Sequence, residues 1–180
     1  IVKIIDLQPN DIEINSLSLS HSFGLGCLHA TFMQGSTSLI FKNTINLKQI
    51  LKNAKYENAT GFVGVPVIFY QILNSFPDLF SSIPSIRYLL TNTAPMKKES
   101  ILEVMNLFPK ANFYTYYGLT EASRSTFLLF NKNKNKLESV GKTAPGIEIK
   151  ILDNDGKVIS NDAMGEIFIK GDNVIKNYWN

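Results

Sequence analysis

Cysteine is nearly absent: Cys27 is the only one among 180 residues. No internal disulfide can form, and a reducing, cytoplasmic setting is the simpler expectation. Isolated in the apolar segment Leu25 to Phe32, Cys27 reads as core and not as a reactive thiol. No run of eighteen apolar residues occurs, so no membrane-spanning helix is expected. Charge of one sign is also scarce. The net charge is +3, and the basic residues are scattered except for Lys132, Lys134 and Lys136, which alternate with asparagines. That stretch reads as a solvated hairpin tip or surface loop, and it falls short of the basic footprint of a nucleic-acid-binding protein. The chain opens Ile1-Val2-Lys3, without an initiating Met or the regions of a secretory signal, which suits an excised piece of a longer polypeptide.

Several motifs are also missing. Gly141-Lys142-Thr143 ends like a Walker P-loop, but Lys136 stands where the first glycine belongs. Gly24-Leu25-Gly26 begins like a dinucleotide fingerprint, and His29 holds its third glycine position. His21 and His29 show no metal-ligand spacing, and no Gly-x-Ser-x-Gly elbow exists.

What is present is the composition of a globular protein, 44% apolar and 18% charged, with length for one core or for one domain plus part of another. Short β-rich runs recur at Ile14 to Leu19, Ser38 to Phe41, Gly61 to Val65, Ile86 to Leu90 and Asn112 to Tyr116. Helical spacing appears between them at Leu47 to Ala54, Val67 to Phe76 and Lys97 to Phe108. After about residue 125 the pattern turns to short strands, Ser125 to Phe130, Ile147 to Leu152 and Glu166 to Lys170, with a turn at Asp153-Asn154-Asp155-Gly156. The expected fold is α/β, a mainly parallel sheet with flanking helices, followed by part of a β-rich, barrel-like subdomain. The expected division is 1–130 and 137–180, with the boundary in 131–136.

Residues Tyr114-Thr-Tyr-Tyr-Gly-Leu-Thr-Glu121 place a flat ring, a hydroxyl and a carboxylate around one glycine. A magnesium-bound nucleotide needs those groups. Tyr117 can stack on adenine, Gly118 lets backbone and ligand approach, Thr120 can hydrogen-bond phosphate, and Glu121 offers the hard oxygen that Mg²⁺ prefers. A strand end followed by a glycine turn and an exposed acid is the competing reading of the same residues.

Four segments in order resemble the adenylate-forming superfamily, which includes AMP-forming acyl-CoA synthetases, luciferases and peptide-synthetase adenylation domains. They are Ser20-His21-Ser22-Phe23-Gly24, Thr93-Ala94-Pro95-Met96, Tyr117 to Glu121, and a tail from Ser139-Val140-Gly141-Lys142 through Pro145-Gly146 and Gly165-Glu166-Ile167 to Tyr178-Trp179-Asn180. The resemblance covers nearly the whole chain and implies the central part of a larger adenylation domain. It assigns Tyr117 to adenine, Thr120 to phosphate and Glu121 to Mg²⁺. It puts His21 beside the carboxylate being activated, where a purely structural histidine is the alternative. Gly118 and the loop of Thr93, Ala94 and Pro95 would border the nucleotide and acyl pocket. Asn92 and Thr93 stand where the family usually has two glycines, Ser18 and Ser20 where it commonly has proline and an aromatic residue, and Asn177 where it usually has glycine.

The activity so implied takes a small carboxylic acid and ATP to an acyl-adenylate and pyrophosphate, after which a thiol, coenzyme A or a carrier protein, displaces AMP. Coenzyme A is favoured because Thr120 to Phe127 looks like stand-alone ligases and no carrier domain is present. By the same resemblance the phosphate loop should lie just before Ile1, and the ribose-gripping aspartate and the lysine domain beyond Asn180, so the chain alone is expected to be inactive. The rival expectation is a scaffold or interaction protein that kept the fold without adenylating. The tail from Ser139 to Trp179 is read as scaffold.

Overall fold

The computed structural model describes residues 1–41, 46–159 and 164–179. In chain order the elements are α1 (Val2–Ile5), β1 (Ile12–Asn15), α2 (Ser22–Gln34), β2 (Thr37–Ile40), α3 (Leu47–Tyr56), β3 (Gly61–Val63), α4 (Pro66–Ser75), α5 (Pro77–Ser81), β4 (Tyr88–Thr91), α6 (Lys98–Leu107) and β5 (Asn112–Tyr117). Then come β6 (Thr126–Leu129), a 3₁₀ turn (Phe130–Lys132), β7 (Lys142–Thr143), β8 (Glu148–Leu152) and β9 (Glu166–Lys170).

Seven strands form one sheet in the order β2-β1-β3-β4-β5-β6-β7. The five from β2 to β5 are parallel, and β6 and β7 add antiparallel at one edge. A separate antiparallel pair, β8 and β9, follows. The α/β architecture with a mainly parallel sheet is therefore as the sequence pattern implied. Among the described residues no helix is long and apolar enough to cross a membrane.

Parallel strands need covered faces, which is why Tyr88-Leu89-Leu90 is continuously buried and does not alternate. One face packs Ile14, Phe62, Leu89 and Phe113 against α3 to α6. The other packs Val63, Tyr88, Leu90, Tyr114 and Tyr116 against α1 and α2. The helices begin where local chemistry lets them. Asn46 caps α3 by accepting from the Gln49 N–H at 3.1 Å, and Pro66 opens α4 at a position whose N–H has no intrahelical acceptor.

The first strand departs from the sequence expectation, running Ile12–Asn15 instead of 14 to 19. At its start Asp11 is buried and accepts from the Gln8 N–H, the Thr60 hydroxyl and Arg87 Nε at 2.6, 2.7 and 2.6 Å. Its end bends because Asn15 donates to the Gly24 carbonyl at 2.9 Å, while Ser18 and Ser20 bond each other at 2.7 Å. The tail motif ends at Asn180, which lies outside the described residues.

Candidate functional site

Strands β4 and β5 are neighbours running in the same direction, so the segments leaving them emerge side by side. Asn92 to Lys97 leads from β4 to α6, and the segment from Gly118 leads from β5 toward β6. Between them, closed on a third side by Leu137 to Val140, lies a cavity of about 610 Å³. Its walls include Asn92, Thr93, Ala94, Pro95, Thr115, Tyr116, Tyr117 and Gly118, with Met96, Phe130 and Leu137 giving it an apolar lining. A pocket at the carboxyl ends of parallel strands, mostly apolar with a few polar groups, is the usual place for a ligand in an α/β sheet.

Tyr117 ends β5 half-buried, in the cavity wall. Thr93 has φ +84°, a left-handed conformation that is an outlier for a β-branched residue. Gly118 is required by the chain itself. A Cβ there would come within 2.4 Å of the Arg124 amide nitrogen and 2.9 Å of the Ala122 carbonyl oxygen, so only glycine lets the loop 119–125 fold back. The Leu119 N–H then donates to the Ala122 carbonyl at 3.0 Å, which the Ser125 hydroxyl also reaches at 2.9 Å.

Thr120 is exposed on this loop, and Glu121 is partly exposed next to it. The Tyr178 hydroxyl donates to the Glu121 carboxylate, and the Ile175 N–H donates to the Glu121 carbonyl at 2.9 Å. The hydroxyl bond holds the Glu121 carboxyl below its ordinary pKa and pushes the Tyr178 phenol up. Asn173 fastens the same strap, donating to the Ser123 carbonyl and the Ser125 hydroxyl at 3.0 Å each.

The structure thus brings Thr93, Ala94, Pro95, Tyr117 and Gly118 into one cavity wall. Thr120 and Glu121 follow on the same loop outside that wall. His21 stands apart, exposed at the N-cap of α2 with no side-chain cap bond. Sequence reasoning missed Leu137 to Val140 as pocket lining and Tyr178 as the partner of Glu121. Ser139, Val140 and Tyr178 belong to the matched tail, whose turn glycines and hairpin read as scaffold.

Among the described residues no three His, Cys, Asp or Glu side chains gather as a metal cluster. Magnesium needs no such cluster, since it is commonly held by one or two carboxylates together with substrate phosphates. Glu121, carboxylate-bearing and next to Thr120 on the loop that leaves the cavity wall after Leu119, fits that requirement.

A mainly parallel α/β sheet with an apolar pocket at its strand ends and a Tyr-Gly-Leu-Thr-Glu loop beside it is the arrangement of a ligand-binding α/β domain. The family model for AMP-binding enzymes matches residues 2–179, and the chain belongs to that family. Acyl-CoA synthetase 7 of Caenorhabditis elegans is 27% identical over 180 residues, covering 98% of this chain and 33% of the relative. The mitochondrial medium-chain acyl-CoA ligase ACSF2 of Mus musculus is 31% identical over 166 residues, covering 89% of this chain and 27% of the relative. Among solved structures, the O-succinylbenzoate coenzyme A synthetase of Bacillus subtilis, in complex with ATP and magnesium ion, superimposes with a TM-score of 0.85 at 26% identity. That match covers 99% of this chain and 36% of the other. The chain spans about a third of the length of the relatives it matches.

Proposed function

We propose that this chain is the central part of an AMP-forming ligase that joins a carboxylic acid to a thiol, with coenzyme A as the acceptor. The observation that carries the reading is the cavity itself. A half-buried ring, Tyr117, and the Asn92–Pro95 loop face the same space of about 610 Å³, with Thr120 and Glu121 on the adjoining loop.

In the reaction, a carboxylate oxygen attacks the α-phosphorus of ATP and the bond to the β-phosphate breaks, giving acyl-adenylate and pyrophosphate. A thiol sulfur then attacks the acyl carbon, the acyl–oxygen bond to phosphate breaks, AMP leaves, and the thiol proton passes to solvent. Tyr117 holds the adenine by stacking, and Ala94 and Pro95 line the same cavity. Thr120 hydrogen-bonds a phosphate oxygen. Glu121 would hold Mg²⁺, which when bound neutralises charge on the phosphates. His21, exposed at the N-cap of α2, is assigned by the family resemblance to the side of the carboxylate being activated.

Calorimetric titration of the full-length parent with ATP and Mg²⁺ tests the nucleotide half of this reading. Tyr117→Ala is expected to weaken binding by about tenfold or more, the scale of one lost aromatic–base stack. Equal affinity in the variant would refute the assignment. The isolated chain, a third of the relatives' length, is expected to show no turnover.

A second reading, an interaction protein that keeps the fold without adenylating, is favoured by one observation. Thr93 holds a left-handed conformation in the cavity wall, where the resembled family has glycine.

A further inference from the structure

Arg124 lies three residues past Glu121, and its own backbone is left-handed, with φ +57°. From there its side chain turns inward. The guanidinium carbon sits 5.5 Å from the centre of the Tyr116 ring, and a Cβ on Gly26 of α2 would meet the guanidinium nitrogens at 2.2 and 2.4 Å. Glycine at 26 therefore leaves the slot in which this cation lies.

The guanidinium is poorly satisfied there. Nη1 reaches only the hydroxyl of the adjoining Ser123, at 3.3 Å. Nε and Nη2 are buried and have no partner. Buried donors are nearly always paired, so two orphans on one side chain ask for an explanation. They also lie on one edge of the planar group, the edge that meets a carboxylate through two parallel hydrogen bonds.

The surroundings offer no compensating charge. Among the described residues the one ion pair is Arg87 with Asp11. Cys27 on α2 lies against the guanidinium, which favours its thiolate, but burial is the larger effect, pushes the thiol up and keeps it neutral. Glu13, in β1, is an acid that feels the charge of Arg124. Burial pushes its carboxyl up to about 8, against the opposing bond from the Tyr88 hydroxyl at 2.8 Å, so at neutral pH it is mostly protonated. A cation left alone in such a place is costly, and an alkyl chain laid against it would leave it so.

Arg124 is not itself in the cavity wall, but it lies against Tyr116, which is. The Tyr116 residue lines the cavity, and its ring is covered by Arg124. Thr120 and Glu121 precede Arg124 on the same loop. We infer that Arg124 reads a second carboxylate, at the far end of the acid from the group being activated, so that the substrate class is dicarboxylic. This rests on the adenylating reading above and deepens it by naming the acid.

The test uses the full-length parent and two readouts. Calorimetric titration, with and without a non-hydrolysable ATP analogue, compares malonate, succinate and glutarate with propionate, butyrate and valerate. ATP-dependent hydroxamate formation is measured with the same acids. At least one diacid is expected to bind about 10 to 100 times tighter than its length-matched monoacid, the scale of hydrogen bonds to a charged group. Arg124→Gln is expected to abolish that preference, and Arg124→Lys, which keeps charge but loses the fork, to weaken it.

A monoacid bound as well as or better than every diacid overturns the inference. So does a diacid preference that survives Arg124→Gln, or Arg124→Lys if the first variant does not fold. A diacid that binds through Arg124 without hydroxamate formation would leave this inference standing and sink the adenylating one.

Discussion

Thr93 is the residue at which this chain departs most clearly from its family's glycine pattern and takes a conformation that glycine would hold freely. A β-branched residue at φ +84° is strained by about 1–2 kcal/mol. Thr93→Gly should therefore stabilise the chain, by about 0.5–1 kcal/mol after the added freedom of the unfolded glycine is subtracted. Urea unfolding of both proteins checks this, and a less stable glycine variant would show that the cavity wall is held by contacts of the threonine side chain.

Glu13 makes an opposite kind of demand. Its row across the sheet pairs it with Gly61 and then Tyr88, and the tyrosine ring passes over the glycine to reach the carboxyl. Its folded pKa, about 8, lies above the ordinary 4.5. The stability it contributes is thus fully present below pH 4.5 and is lost as pH rises through 8. Glu13→Gln keeps an acceptor for Tyr88 and removes that loss, so it should melt higher than the parent above pH 8, by on the order of 1–3 kcal/mol in stability. Identical pH profiles would show that the carboxyl is hydrated. None of this was legible in sequence, because Ile12-Glu13-Ile14 alternates like a half-exposed strand, and only the register places the acid over Gly61.

At the scale of elements, most of the parallel sheet could be read from periodicity. The apolar spacing of α3, α4 and α6 and the runs at β3 to β5 need only burial to explain them. What could not be read were the side-chain links between distant segments. Asn131 looks like part of a solvated Asn/Lys stretch, yet its amide accepts from the Phe113 N–H at 2.8 Å and donates to the Ala111 carbonyl at 3.0 Å. The strap from Asn173 to Tyr178 looks like scaffold, and it holds the Glu121 loop.

Two outcomes follow for that loop. Gly118→Ala should cost about 2 kcal/mol or more, because the added methyl meets backbone atoms that cannot turn aside. Thermal melts check this, and an unchanged midpoint would mean the loop relaxes freely. Tyr178→Phe should raise the Glu121 pKa back toward its ordinary value, since it removes the hydroxyl that lowers it. An NMR titration of the Glu121 carboxyl reads the change directly, and an unmoved titration would mean that the strap does not engage the carboxylate in solution.

At the scale of the whole molecule, the sequence carried the family and the strand-end loop, because the Tyr117 to Glu121 motif and its flanking segments are local in sequence. It did not carry the pocket's third wall, since Leu137 to Val140 reaches the cavity only through the path of the chain after β6. Nor did it mark Arg124, whose role depends on a glycine nearly a hundred residues earlier in α2. The central claim is that the parent polypeptide forms acyl-adenylates at this site. ATP-dependent hydroxamate formation by the full-length parent across short, long, aromatic and dicarboxylic acids, with Glu121→Gln as the paired variant, tests it most directly. Product with at least one acid class and loss of most of it in the variant is expected; product undiminished by Glu121→Gln, or none with any class from a folded protein, would contradict acyl-adenylate formation at this site.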